Sequence, residues 1–405
     1  MTSKKTTLGN TTNNASEREK TNKRLKEDFR LLDTAQKIMQ RDNHRVCICS
    51  KILQHDQTHA VVSKTTDGKV ALSNTMKCDN VWACPLCSRK ISEQRRIELQ
   101  HGVNEAKRRG WQVLMMTNTI SHTRGDLIQD LKIMFSMAWR KFTSGRKWQD
   151  LMTEYDIVGR VRAIEVTHSA KNGWHIHSHT LLFIDSKPDF RVTPLKIQSE
   201  LALHWSKSAH KCQAFASIEH GTKVTESSDV IADYITKYGK QPADIDDKLA
   251  EVDTTWNESH ELAKAVVKKS HTAGSRTPFA ILSDAADGDE QSAVLYRDYV
   301  LSMKHVRQLV WSNGLKEELL VAEALKEAEA AADAEAEEVI IDATLSVSRH
   351  LWKEVSRSGK RGEVMVAMAT DDHNRITRLL DYMIAVIRLK APQYTHLVSY
   401  TLEIA

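Results

Sequence analysis

His175, His177 and His179 set three imidazoles at alternate positions of one short run, His175-Ile176-His177-Ser178-His179. On a β-strand, side chains two apart share a face at intervals of about 7 Å, so a neighbouring pair can close on one metal ion. The third ligand depends on the register of the hairpin that the run belongs to. Ala170-Lys171-Asn172-Gly173 carries the Asn-Gly turn signal between two strand-like segments. A two-residue Asn172-Gly173 loop sets His168 opposite His177, whereas a loop one residue longer or shorter brings Glu165 to that face. Both residues are therefore candidates.

Two further groups have spacings that suit chemistry. Cys78, Cys84 and Cys87 supply three thiolates, and Cys47 or Cys49 offers a fourth from some thirty residues upstream. That pattern predicts a structural tetrahedral zinc site, with Pro85 favouring the tight turn between two ligands, and it leaves open which upstream cysteine binds. Cys212 stands apart and is expected to be a buried free thiol. In Asp233-Tyr234-Ile235-Thr236-Lys237-Tyr238, a helix puts Tyr234 and Tyr238 about 6 Å apart on one face beside Lys237. A phenol of pKa about 10 attacks phosphorus only where a metal polarises the target or a cation favours the phenolate. Lys237 and a histidine-bound metal supply those two effects.

The elements that must hold these groups are legible from periodicity. A helix is expected from Glu17 to Gln40 behind a disordered start, and a basic helix from Ile91 to Arg109. Trp111 to Ser121 should be a strand and Asp126 to Phe142 an amphipathic helix. Val161 to His168 and Trp174 to Ile184 form the hairpin. A helix over Thr193 to Ser206, a strand around Ala214 to Ile218 and the tyrosine helix, Ser228 to Tyr238, follow. Helical patterns return at Asn257 to Lys268 and Gln291 to Leu320. A short strand at Val339 to Ile341 and a helix at Leu345 to Val355 close the reading.

Composition narrows the class. With 405 residues, 41% apolar, 27% charged and only 6 Pro and 15 Gly, the chain is globular and long enough for two or three domains. No apolar run approaches the roughly 20 residues of a membrane span, and the start is polar, so a cytoplasmic protein without membrane partners is expected. Cysteine in such a compartment points to metal before disulfide. The net charge of +5 hides an uneven division: residues 316–338 hold nine acids and two lysines, which leaves the rest of the chain at +12. A body that basic favours a polyanionic partner through counterion release.

Taken together, the run Cys78-Asp79-Asn80-Val81-Trp82-Ala83-Cys84-Pro85-Leu86-Cys87, the strand Met115-Met116-Thr117-Asn118-Thr119, the hairpin from Glu165 to His179 and Tyr234-Ile235-Thr236-Lys237-Tyr238 resemble the plasmid rolling-circle replication initiators. These are the Rep proteins of the HUH endonuclease superfamily. Arg276-Thr277-Pro278-Phe279 and Trp311-Ser312-Asn313-Gly314-Leu315 resemble later segments of the same family, so the likeness covers roughly residues 45 to 315.

The resemblance implies an α+β fold: a central, mostly antiparallel sheet with helices packed on one side, an N-terminal zinc knuckle and a helical C-terminal extension. It implies an origin-specific, metal-dependent nickase that breaks one strand and rejoins it through a 5′-phosphotyrosine on Tyr234 or Tyr238, both of which then contact DNA. By alignment with the family's Trp-His-x-His-x-His run the metal pair is His177 and His179, with His175 and Glu165 as further candidates. Ser178 stands where the family usually has a bulky residue. The implied cofactors are Mg or Mn at the histidines and Zn at the cysteines; the implied partners are plasmid origin DNA, a host helicase and a DNA polymerase. A two-tyrosine HUH transposase would share these motifs. A zinc hydrolase and a zinc-stabilised, non-catalytic DNA-binding protein are the rivals of another class.

The expected organisation is a basic tail and helix (1–44), a cysteine segment with its basic helix (45–110), the catalytic core (111–242), a family-specific helical region (243–315), an acidic linker (316–338) and a small accessory module (339–405).

Overall fold

The computed structural model describes residues 10–185, 191–227, 274–323, 325–326 and 340–404, with side chains from Arg18 onward. In chain order the first elements are α1 (Asn10–Met39), β1 (His59–Thr65), β2 (Val70–Ser73), α2 (Pro85–Arg108), β3 (Gln112–Thr119), α3 (Ile128–Phe142) and α4 (Arg146–Glu154). Next come β4 (Ile157–Ser169), β5 (Gly173–Ile184), α5 (Pro194–His210) and β6 (Thr222–Glu226). The later elements are β7 (Ser275–Arg276), α6 (Pro278–Ala286), α7 (Glu290–Ser302), β8 (Leu309–Trp311) and α8 (Leu315–Glu318). The chain closes with β9 (Ile341–Ser348), α9 (Arg349–Arg357), α10 (Arg361–Ala369), α11 (His373–Lys390) and β10 (Tyr400–Ile404). No helix among the described residues is long and apolar enough to cross a membrane.

Two compact units result, one from Met1–Cys87 with Ala332–Ala405, the other from Ser88–Ala331. The second is built on a sheet of order β6-β3-β5-β4-β7, with β8 also on β4, and every pairing is antiparallel. Strict alternation along β3, β4 and β5 gives the sheet two faces. On one face Val113, Met115, Val161, Ala163, Leu181 and Phe183 pack with Leu99, Val103 and Ala106 of α2. On the other, α3 buries Leu131, Phe135, Ala138 and Phe142, spaced three and four apart. Phe135 and Phe142 meet Trp205 of α5 with ring centroids 5.5 Å apart in each case. Helices thus cover both faces of the sheet, where the sequence suggested one. A continuous run of apolar residues such as Leu181 to Ile184 demands it, because successive side chains point to opposite sides.

Three local expectations are corrected. The strand expected around Ala214–Ile218 forms instead at Thr222–Glu226, where Thr222 and Val224 bury alternately and Val224 pairs with Met116. The helical pattern of 291–320 is broken by β8, which takes the free edge of β4 through Leu309 to Trp311. The C-terminal segment is not simply helical: the period-two burial of Ala343, Leu345 and Val347 makes Ile341–Ser348 a strand, and the helix starts only at Arg349. The helices expected at 228–238 and 257–268 lie outside the described residues.

The first unit has its own sheet, of order β10-β9-β1-β2, in which residues from the two ends of the chain meet at Val61 and Ser346. Residues 341–404, set off in the sequence behind the acidic stretch, complete this sheet together with β1 and β2. Inside the unit Arg361, fully buried, donates to the Cys49 carbonyl at 3.0 Å and to Gln36 Oε1 at 2.8 Å, and pairs with Asp33.

Candidate functional site

The hairpin decides which residues meet the histidine face. Ser169 pairs with Gly173, so the loop is Ala170-Lys171-Asn172, three residues long, and Glu165 faces His177. Gly173 has φ +73°, and a Cβ there would lie 2.9 Å from the Arg124 backbone, so this corner requires glycine. His168 falls on the opposite face, edge-on against Trp174 with centroids 4.8 Å apart, and burial pushes its pKa down. Of the two open possibilities for the third ligand, the structure places Glu165 with the histidines and His168 away from them.

Glu165 Oε2 lies 3.4 Å from His177 Nε2 and 3.3 Å from His179 Nε2. Three ligand atoms sharing one cation at about 2.1 Å stand about 3.0–3.5 Å apart, so this donor set fits a divalent ion. The side chains are 13%, 12% and 5% exposed, respectively, so the cluster is nearly closed yet not sealed. Thr117 Oγ1 lies 3.1 Å from His179 Nδ1, which turns Nε2 of that ring toward Glu165. His175 stands apart from the trio. Its Nε2 is 2.7 Å from Thr119 Oγ1, and its ring stacks between His177 and His122 at 4.7 and 4.9 Å. Burial first, then the neighbouring imidazoles, pushes the His175 pKa down to about 3. Thr117, Thr119 and His122 were not among the expected site residues. The signal for the threonines was the alternation Thr117-Asn118-Thr119 on the strand beside β5; for His122 there was none.

In the other unit Cys49, Cys78, Cys84 and Cys87 are all buried and bring their sulfurs together. The separations are 3.6 Å for Cys49 to Cys87, 3.7 Å for Cys78 to Cys87 and 3.6 Å for Cys84 to Cys49. A disulfide needs about 2.05 Å, and every cysteine is a free thiol. A tetrahedron of sulfurs about 2.3 Å from a zinc has edges of about 3.8 Å, and these distances fit it. The Cys87 amide donates to Cys84 Sγ at 3.4 Å, the bond that steadies the turn at Pro85. Cys47 is outside the group: its thiol points at the Gln36 carbonyl, 3.6 Å away, and burial raises its pKa. Cys47 lies within a short 3-10 turn, Arg45–Ile48, and Cys49 caps its end. Cys212 is part-buried and joins no such cluster among the described residues.

Tyr234, Lys237 and Tyr238 lie outside the described residues.

Comparison with known proteins gives the class. The profile of the family described as Replication protein matches residues 69–318, more than half of the chain, and the chain belongs to that family. It is 24% identical over 276 residues to Protein rep of Streptomyces lividans, covering 56% of this chain and 57% of that one. It is 23% identical over 172 residues to a Streptomyces cyanogenus protein named Neomycin resistance protein, covering 35% and 39%. The chain thus spans about half the length of the curated relatives it matches. No solved structure matches it significantly.

Proposed function

We propose that this protein initiates plasmid replication by nicking one strand of its origin through a tyrosine. The observation that carries the reading is the meeting of Glu165, His177 and His179 on adjacent strands of a family member, in a cluster still open to a ligand. Glu165 weights the site toward the harder ions Mg or Mn, while the four cysteines suit a structural zinc. A divalent ion held by the trio would polarise the scissile phosphate and ease attack on it.

In this reading the hydroxyl oxygen of Tyr234 or Tyr238 bonds to phosphorus as the bond from phosphorus to the 3′ oxygen breaks. The phenolic proton passes to solvent water, favoured by the electrostatic field of Lys237, and the 3′ oxygen takes a proton from solvent as it leaves. The 5′ phosphate stays on the tyrosine, and the free 3′ hydroxyl primes a DNA polymerase behind a host helicase. One phosphoester replaces another, so the reverse step reseals the strand without ATP. With two tyrosines, one can open a new nick while the other holds the previous end.

The test is incubation of the protein with supercoiled plasmid carrying its own origin and Mn or Mg, followed by denaturing electrophoresis. A protein–DNA adduct is expected from the wild type and from neither Tyr234→Phe/Tyr238→Phe nor His177→Ala/His179→Ala. Metal-dependent cleavage that survives loss of both tyrosines would replace this reading with a hydrolase.

A further inference from the structure

On β4 the face turned away from Glu165 carries Arg160 and Arg162, two residues apart and hence side by side. Both are partly buried, and each guanidinium lies over a tryptophan. Arg160 is 5.0 Å from the ring centroid of Trp148 on α4, and Arg162 is 4.9 Å from that of Trp139 on α3. The two rings belong to one aromatic cluster, since Phe142 lies 5.8 Å from Trp139 and 5.2 Å from Trp148.

What sets this pair apart is the lack of an acid. Arg276 pairs with Asp284, Arg109 with Glu105 and Glu318, and Arg361 with Asp33. Among the described residues Arg160 and Arg162 meet no carboxylate, and the buried Nε of Arg162 has no acceptor. Burial lowers the proton affinity of both groups, and Arg160 lowers that of Arg162 further, with no acidic neighbour to offset it. Buried cations are ordinarily paired, and a ring face compensates only part of their desolvation. Two planar forks held on a rigid strand, short of an anion, match the geometry of phosphate oxygens. The surroundings suit a polyanion too. The corner between α3 and α4 exposes Arg140, Lys141, Arg146 and Lys147, of which Lys147 pairs with Glu200 at 3.1 Å.

We propose that Arg160 and Arg162 form a binding site for backbone phosphates of DNA on the face of the sheet opposite the metal ligands. The inference rests on the DNA-binding half of the proposed function and not on its chemistry. The site would grip DNA outside the nick and add affinity without reading sequence.

The test measures fluorescence anisotropy of a mixed-sequence duplex of roughly 30 base pairs over a salt series. The proteins are the wild type, Arg160→Gln/Arg162→Gln and Arg160→Lys/Arg162→Lys. Loss of the charges should lower the slope of log affinity against log salt by about 1 to 2 and weaken binding at low salt by about tenfold or more, while the lysine pair keeps most of the slope. The thermal midpoint of the glutamine pair should hold or rise, because it removes two cations that the free protein buries without partners. An unchanged slope in the glutamine pair would overturn the site, as would a fall in midpoint with an equal loss of binding in both pairs, which marks a packing role. If the wild type itself shows no salt-dependent binding, the proposed function fails as well; a wild type that forms the adduct beside an unchanged slope sinks the phosphate site alone.

Discussion

His177 and His179 each offer Nε2 to the point that Glu165 Oε2 faces, whereas the Nε2 of His175 is engaged with Thr119. Titration of the protein with Mn by calorimetry should therefore show His177→Ala and His179→Ala weakening binding by about a hundredfold or more. Thr117→Val, which removes the orienting bond to His179, should weaken it by about tenfold or more, and His175→Ala should change it little. Equal losses in the His175 and His177 variants would contradict this division. At the cysteines, Cys84→Ser should lose the zinc and Cys47→Ser should keep about one per chain, as read by atomic absorption. The grouping of Cys78, Cys84 and Cys87 and of two of the three alternate histidines was visible in the sequence, whereas the separation of His175 from His177 and His179 was not. Glu165 and Cys49 were not separable from His168 and Cys47. The first choice turns on one residue of loop length, and the second on a short 3-10 turn that aims Cys47 at the Gln36 carbonyl.

At the scale of elements the hairpin β4–β5 is the device that assembles the candidate metal site. Its register follows from the three-residue loop, and the loop from Gly173, whose positive φ and close approach to Arg124 exclude a side chain. Gly173→Ala should cost about 1–2 kcal/mol in stability and loosen Mn binding together with it, read by denaturant midpoint and calorimetry. An alanine variant as stable as the wild type would mean that the corner can relax without disturbing the site. Strands with a clean alternation or a long β-branched run were readable in advance, as were helices with a regular apolar stripe such as α3. Two of the misplaced elements, β6 of five residues and β8 of three, are short strands defined by the edge they find, Met116 for β6 and Arg162 for β8, and a local window contains nothing of that partner. β9 differs: it has eight residues with alternate burial of Ala343, Leu345 and Val347, and a helix expected from Leu345 overran that alternation.

The whole molecule divides into two units, and the one with the cysteines is closed by both ends of the chain. Its interior places the guanidinium of Arg361 on the Cys49 carbonyl, beside Gln36, which also donates to that oxygen at 2.9 Å. Arg361→Ala leaves Asp33 facing a void and should cost about 3 kcal/mol or more. The same change should speed zinc release to a chelator, measured by a metal-indicator dye. Retention of zinc at the wild-type rate would show that the carbonyl needs no such support. Chelation should melt this unit while leaving the antiparallel sheet of Ser88–Ala331, which holds none of the four cysteines, largely folded by circular dichroism.

Covalent nicking by a tyrosine has a direct test in the composition of the chain itself. Trypsin cuts after Lys223, Lys237 and Lys240, which places Tyr234 on the peptide of residues 224–237 and Tyr238 on that of 238–240. The adduct formed on origin DNA with Mn would be digested with trypsin and nuclease, and the nucleotide-linked peptide identified by mass spectrometry. A nucleotide phosphate is expected on one or both of these peptides, joined through the tyrosine oxygen. A nucleotide on any other residue, or cleaved DNA with no linked peptide, would contradict it.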